Sequence, residues 1–239
     1  MKARNRKSFL RLLTIMMMAG MSSVALAADV DVFAEGAYTA NDLVVYIYAN
    51  INTSNLCSYG IRLNYDTINN RLNVPTATKN ENVWYFGTSS VKQPYMNPDT
   101  STPGQVVFIG GKLDTGSPAA GVTGTRVLLG KATFTRKEST MGLGTTAQDY
   151  FGISLALGKA APYDNFVTTG GEVKDGATAF GPIIVRERGD ANASGSITVR
   201  DIATVKELMG VTDFPVYADC NASDSITVRD IACIKEKLQ

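Results

Sequence analysis

The hydrophobic pattern divides the chain into two parts that have different periods. Between residues 28 and 185, apolar and polar residues alternate over short stretches, which is the period of a half-buried β-strand. In the segment 58–65, for example, Ile61, Leu63 and Tyr65 fall on one face and polar residues stand between them. After residue 198 the apolar positions are three or four residues apart, which is typical of helices.

Eight or nine strands are predicted in the N-terminal part. Loops rich in Gly, Pro, Ser and Thr separate them, and no long helical period interrupts the series. The first strand starts at Val30, and the others cover residues 43–51, 58–65, 83–86, 105–109, 127–136, 151–157 and 183–185. In the strand 127–136 we expect Leu128, Ala132 and Phe134 to share one face. The pattern predicts a mostly β protein with an antiparallel β-sandwich of the jelly-roll kind, followed by a small all-α unit.

The first 27 residues have the three parts of a secretory signal peptide. Five basic residues and no acid stand in the first eleven, an apolar run follows, and Ala25-Leu26-Ala27 ends the segment. The apolar run is shorter than the ~20 residues that span a bilayer. We therefore expect cleavage after Ala27, no membrane span in the remaining chain, and a secreted, extracellular protein.

A duplicated segment organises the C-terminal part. Residues 190–208 read DANASGSITVRDIATVKEL and residues 219–237 read DCNASDSITVRDIACIKEK, with 14 of 19 positions identical. Each copy places oxygen-bearing side chains at alternate positions of a twelve-residue loop that leads into helical spacing. An EF-hand loop supplies oxygens to Ca²⁺ from its positions 1, 3, 5, 7, 9 and 12. The repeat thus predicts two bound Ca²⁺ ions, one in each loop.

The predicted calcium ligands occupy the same loop positions in both copies, and position 7 contributes its backbone carbonyl. They are Asp190, Asn192, Ser194, Ser196, Thr198 and Asp201 in the first loop, and Asp219, Asn221, Ser223, Ser225, Thr227 and Asp230 in the second. Only two of the ligands in each loop are carboxylates, which predicts weak binding. The alternative is a pair of Asx-type turns that cap two helices without metal.

The duplicated loop and helix, with aspartate at position 12, resemble a type I dockerin over about the last fifty residues. The resemblance implies one Ca²⁺ in each loop and docking onto a partner domain called cohesin. It places partner contacts at loop positions 10 and 11 and one helical turn later. These positions hold Val199, Arg200, Lys206 and Glu207, and in the second copy Val228, Arg229, Lys235 and Glu236. The Val-Arg pair replaces a Ser-Thr type pair that is common in the family, so the identity of the partner stays open.

Two short motifs in the N-terminal part are similar to strands of cohesin-like domains. Residues 59–66 read YGIRLNYD, and residues 129–134 read LGKATF. The strand count also fits the superfamily of cohesins and carbohydrate-binding modules. The expected organisation is a signal peptide (1–27), a cohesin-like sandwich (28–185) and a dockerin-like calcium-binding domain (186–239).

Composition excludes several kinds of chemistry. The chain has no histidine, which removes histidine-dependent triads and histidine metal sites. Its formal charge of +1 becomes about −4 without the five basic residues of the signal peptide, so nucleic-acid binding is not expected. The acids that could serve a glycosidase are scattered and lie in no recognisable motif: Glu35, Asp66, Glu81, Asp114 and Asp164.

The sequence therefore predicts a secreted, non-enzymatic adaptor that joins a cohesin-type or other extracellular protein. The alternatives are a carbohydrate-binding or cell-surface adhesion module whose dockerin attaches it to a polysaccharide-degrading complex, and a small glycoside hydrolase. Trp84 is the single tryptophan, and we expect it in the core rather than at a sugar. Of the three cysteines, Cys220 and Cys233 form the favoured pair and Cys57 stays free, although three free thiols remain open.

Overall fold

Eleven β-strands of 2 to 23 residues form the framework of the described N-terminal part. The computed structural model describes residues 28–117, 120–138 and 146–239, with the side chains of residues 53 and 54 left out. The predicted signal peptide lies outside the described residues. Within the described ranges, no helix has the length and apolar character needed to cross a membrane.

The strands and helices follow one another in this order. The strands are β1 (Val30–Tyr38), β2 (Asp42–Asn64), β3 (Thr76–Lys79), β4 (Phe86–Gly87), β5 (Lys92–Gln93), β6 (Gln105–Gly111), β7 (Leu113–Asp114), β8 (Val122–Thr135), β9 (Ser154–Leu157), β10 (Val167–Thr168) and β11 (Thr178–Glu187). The helices are α1 (Ala147–Phe151), α2 (Val199–Leu208) and α3 (Val228–Lys237), with 3₁₀ turns at Asp175–Ala177 and Val216–Ala218. The chain is therefore mostly β, as predicted.

The long strand β2 belongs to both layers of a sandwich. Its first half pairs with β1 and β8, in the order β11-β1-β2-β8-β3, and its second half pairs with β6, β9 and β10. The register against β8 shifts between Ala49 and Ile51 and again between Ile51 and Leu56. Such irregularities bend a strand, and here they lie where β2 changes partners.

One apolar core lies between the two halves of β2. Alternate residues of the first half (Leu43, Val45, Ile47) and of the second half (Tyr59, Ile61, Leu63) are fully buried in the same cluster as Phe108 and Phe134. Burying one such side chain contributes about 1.5–3 kcal/mol relative to leaving it exposed. The predicted inner face of the segment 58–65 is confirmed.

The expected antiparallel arrangement needs correction at one strand pair of the sandwich and at one pair of a separate small sheet, β5-β4-β7. Strand β11 pairs with β1 in parallel, from Val30 opposite Thr178 to Tyr38 opposite Glu187, and the short strand β4 pairs with β7 in parallel. Parallel neighbours require a long crossover connection, and nearly the whole sandwich lies between β1 and β11. Local alternation carries no information about the direction of such distant neighbours.

The segment 83–86 is mostly a turn rather than a strand. The backbone N–H groups of Val83 and Trp84 both donate to the carbonyl of Asn80, at 3.1 and 2.9 Å. Because the backbone turns there, Trp84 and Tyr85 are both buried instead of facing opposite sides. Trp84 packs edge-on against Tyr59 with 4.6 Å between ring centroids, which confirms its core position.

Two further strand predictions need correction. In the segment 151–157 only β9 is a strand, because the residues before it form α1, which Thr146 caps and Gly152 ends at φ +63°. In β8 the buried leucine that shares a face with Ala132 and Phe134 is Leu129 rather than Leu128. Leu128 packs on the opposite face. A register shift between Tyr48 and Ile47 of β2 falls at this point, and one extra residue reverses the alternation.

The C-terminal unit, residues 189–239, consists of two loops, each followed by a helix. Its small core includes Val205 of α2, Ile226 before α3 and Ile234 of α3. A disulfide joins Cys220 and Cys233, while Cys57 is free. Strand β11 leads almost directly into the first loop, since it ends at Glu187 and the loop starts at Asp190.

Candidate metal centre

The first loop closes around two buried carboxylates. Asp190 accepts hydrogen bonds from the backbone N–H groups of Ser194 (2.9 Å) and Gly195 (2.8 Å). Asp201 accepts from the N–H groups of Asn192 (3.0 Å) and Thr198 (2.7 Å). Both carboxylates are almost fully buried, so the loop backbone orients them toward its own interior.

The second loop repeats this arrangement. Asp219 accepts from the N–H groups of Ser223 (3.0 Å) and Asp224 (2.7 Å). Asp230 accepts from the N–H groups of Asn221 (3.2 Å) and Thr227 (2.8 Å). The four hydrogen bonds therefore occur at the same loop positions in both copies.

Other oxygen atoms lie beside these carboxylates. The Ser194 Oγ is 3.4 Å from Asp190 Oδ1 and 3.1 Å from the carbonyl of Ser196, and Ser223 Oγ is 3.0 Å from the carbonyl of Ser225. Within the described ranges, no three His, Cys, Asp or Glu side chains gather as a metal site. Each loop instead combines two carboxylates with neutral oxygens, which are the donors a hard cation such as Ca²⁺ accepts.

Burial of the acids has an electrostatic consequence. Desolvation raises the pKa of the Asp190 carboxyl, and the nearby charge of Asp201 raises this pKa further. Desolvation and the charge of Asp230 raise the pKa of Asp219 in the same way. The Arg186 Nε, 3.7 Å from Asp190, offsets part of the charge in the first loop. A divalent cation would favour the ionised forms of these carboxyl groups in both loops.

The backbone of each loop turns through left-handed conformations. At position 6, Gly195 has φ +89° and Asp224 has φ +57°, as the EF-hand pattern predicts. Position 4 is also left-handed, at Ala193 (φ +55°) and Ala222 (φ +58°), which the sequence did not suggest. Alanine in this region is strained, and the hydrogen bonds of the loop hold it there.

The same side chains also cap the helices. Thr198 and Asp201 form a capping box at the start of α2, and Thr227 and Asp230 form one at the start of α3. Each loop therefore contains the helix-capping hydrogen bonds that are expected without metal. It also contains the arrangement of oxygens that would suit an ion. The two roles are compatible, because each carboxylate has several lone pairs.

The predicted partner positions form two exposed patches, one on each copy. Val199 is 72% exposed and Val228 is 69% exposed at the helix starts, although both are apolar. The other predicted residues are exposed as well: Arg200, Lys206 and Glu207 on α2, and Arg229, Lys235 and Glu236 on α3.

The scattered acids of the sandwich are not brought together. Glu35 pairs with Arg126, Asp66 accepts from the N–H of Ile68 at 2.8 Å, and Asp114 accepts from the hydroxyl of Tyr85 at 2.8 Å. Asp164 is exposed at a groove, and Glu81 is exposed on a loop. Glu35, Asp66 and Asp114 therefore each bond to a different part of the chain.

A groove lies on the outer side of the sandwich, beside β9. Its volume is about 610 Å³, and Arg62, Lys159, Tyr163 and Phe180 are among the residues that line it. Tyr163 is 65% exposed. The sequence pattern did not indicate this groove, because its residues come from segments that are distant along the chain.

No family model and no curated protein matches the chain. Solved structures similar to its N-terminal part are cohesin modules. A non-cellulosomal cohesin from the hyperthermophilic archaeon Archaeoglobus fulgidus is 14% identical, with a TM-score of 0.39, over 65% of this chain and 87% of that chain. CaCohA2 from Clostridium acetobutylicum is 12% identical, with a TM-score of 0.42, over 65% and 90% of the two chains. The second type II cohesin module from the cellulosomal adaptor ScaA scaffoldin of Acetivibrio cellulolyticus is 9% identical, with a TM-score of 0.37, over 66% and 95%.

Proposed function

We propose that this chain is an exported, non-catalytic adaptor. Its C-terminal unit binds two Ca²⁺ ions in dockerin-like loops and docks onto an extracellular protein of the cohesin type. Its N-terminal sandwich is a cohesin-like module, an assignment supported by the YGIRLNYD motif of β2 and the LGKATF motif of β8. The expected division into residues 28–185 and 186–239 belongs to the same proposal, except that strand β11 extends the sandwich to Glu187.

The observation that carries this proposal is the duplication of the loop geometry. Asp190 and Asp219 accept from equivalent N–H groups, and so do Asp201 and Asp230. A helix cap requires one side-chain oxygen at the start of the helix. It does not require a second buried carboxylate at position 1 of the loop, whereas a calcium site does.

Calcium titration by calorimetry tests the proposal. The chain 28–239 is expected to bind two ions, and Asp201→Ala or Asp230→Ala is each expected to leave one. Because these aspartates also cap helices, Asp190→Asn provides a second test, since it removes a carboxylate that lies outside the capping box. This variant should also lose one ion.

Ser196→Ala is the matched control for the titration. Position 7 provides a backbone carbonyl, which this change preserves, so two ions should remain bound. The proposal is wrong if the unaltered chain binds no calcium, or if the double variant Asp201→Ala/Asp230→Ala retains both ions.

A second candidate function, polysaccharide binding, is favoured by the groove beside β9. Exposed aromatic rings such as Tyr163 offer an apolar face to a sugar ring, and Arg62 and Lys159 offer hydrogen-bond donors. If sugar binds there, the chain should sediment with insoluble cellulose or xylan, and Tyr163→Ala should reduce the bound fraction severalfold. Leu113→Ala, which removes an exposed apolar side chain outside the groove, should have no effect. Equal sedimentation of both variants would exclude the groove as the polysaccharide-binding site.

A further inference from the structure

One face of the sandwich is covered by the C-terminal unit of the same chain. We call it the Arg126 face and define it by Glu35 and Ala37 of β1, Tyr48 of β2 and Arg126 of β8. The covering segment is 213–217, which includes the start of the 3₁₀ turn. The apolar part of the contact joins Ala37 and Tyr48 to Val216 and Tyr217, and all four side chains are buried.

Arg126 connects the sandwich to the covering segment. Its guanidinium makes a two-pronged ion pair with Glu35, with 2.7 Å between Nη2 and Oε2. From the same guanidinium, Nε lies 2.5 Å from a carboxylate oxygen of Asp213, and Nη2 donates to the carbonyl of Phe214 at 2.8 Å. The guanidinium also lies 4.2 Å from the ring centroid of Tyr48. Planar, two-pronged pairing of this kind is stronger than an ordinary hydrogen bond.

Glu35 completes the contact from the sandwich side. Its carboxylate is buried and accepts from the backbone N–H of Val216 at 3.1 Å, in addition to its pair with Arg126. The buried carboxylate and the half-buried guanidinium both bond to the covering segment, so each would lose hydrogen-bond partners if that segment moved away. The face therefore favours the docked arrangement.

The covering segment is continuous with the second calcium loop. Val216–Ala218 immediately precedes Asp219, which occupies position 1 of that loop. Arg188, just beyond β11, donates to the carbonyl of Asp219 at 3.0 Å, and the N–H of Gly189 donates to the carbonyl of Tyr217 at 2.8 Å. The position of a predicted metal ligand is thus linked to the sandwich from both sides.

We infer that the Arg126 face is an interaction surface whose partner is the C-terminal unit of the same chain. Calcium binding to that unit stabilises the sandwich through the contacts of this face. The inference rests on the proposed calcium binding. Order imposed on Asp219 by an ion is transmitted to the segment 213–217 and to β1 and β8. A ligand that binds the docked state more tightly than the undocked state stabilises the docked state, and with it the sandwich.

Trp84 allows this coupling to be measured. It is the single tryptophan and is buried in the sandwich core, far along the chain from the calcium loops. Its fluorescence therefore reports unfolding of the sandwich, while calorimetry reports calcium binding. With calcium about a hundredfold above its dissociation constant, the midpoint of thermal unfolding observed at Trp84 should rise by about 5–10 °C.

Two variants should abolish this rise while calcium still binds. Val216→Asp places a carboxylate against Glu35 and changes only the covering segment. Glu35→Gln/Arg126→Leu removes both charges from the sandwich side, so that no buried charge is left unpaired. The matched control is Arg71→Ala, because Arg71 also lies over a tyrosine, 4.0 Å from the ring centroid of Tyr150, but outside the Arg126 face. This variant should retain the full rise.

The outcomes separate this inference from the proposed function. If no calcium binds, both are overturned. If calcium binds to the unaltered chain but the Trp84 midpoint does not change, only the coupling is overturned. If Val216→Asp and Glu35→Gln/Arg126→Leu both retain the full rise of the midpoint, the Arg126 face does not transmit the effect of calcium to the sandwich.

Discussion

At the scale of single residues, the partner positions of the two copies are nearly interchangeable. Arg200 and Arg229 follow Val199 and Val228 at helix starts with the same capping box, and all four are exposed. Neither valine contributes to the core of the C-terminal unit. Two equivalent apolar and basic patches could each meet the same partner after a half-turn rotation.

The resulting prediction concerns two binding modes. Arg200→Ala alone, or Arg229→Ala alone, should leave partner affinity within about twofold, because the other copy still presents its arginine. The double variant should lose about 1.5–3 kcal/mol of binding free energy, which is typical of a charged hydrogen bond. Affinity measured against a partner captured from secreted proteins in calcium would show this. Loss of binding in one single variant would indicate a single fixed mode, and a harmless double variant would place the interface elsewhere.

At the scale of elements, the two loop-helix copies differ in one covalent bond. Cys220, beside loop position 1, is joined to Cys233 in the middle of α3, whereas the equivalent residues of the first copy are Ala191 and Thr204. The cross-link closes a short segment that includes the second loop from its position 2 onward. It therefore restricts the unfolded state of the second copy more than that of the first.

Replacing the pair tests this asymmetry. Cys220→Ala/Cys233→Thr gives the second copy the residues of the first, and it should reduce the free energy of unfolding of the C-terminal unit by about 3 kcal/mol. Hydrogen exchange of the α3 amides measures the effect. Mild reduction should reproduce it in the unaltered chain and add nothing in the variant. Unchanged protection of α3 after replacement would mean that the disulfide contributes little.

At the scale of the whole molecule, the C-terminal unit differs from a module on a free linker. Strand β11 continues to Glu187 beside Tyr38, and Lys237 at the end of α3 pairs with Glu187 at 3.0 Å. Together with the Arg126 face, these contacts hold the exposed helix patches at one orientation relative to the sandwich. The proposed adaptor would therefore present its partner at a defined angle.

The sequence alone determined the features that depend on short spacing. The duplicated loops, their left-handed position 6, the helices α2 and α3 and the inner face of 58–65 all follow from residues only a few positions apart. Backbone conformation and side-chain direction repeat over such distances, so they can be read along the chain. The functional assignments of the loops remain predictions that calcium and partner binding will test.

Only the tertiary structure decided the features that join distant segments. Arg126 meets Glu35, 91 residues earlier, and Glu35 bonds to Val216, 181 residues later. The parallel pairing of β11 with β1, the bulge that buries Leu129, and the groove beside β9 depend likewise on how far-apart strands come together. These contacts arise because apolar faces must be buried against one another. The local sequence pattern shows which face is apolar, but it does not show which distant segment will cover that face.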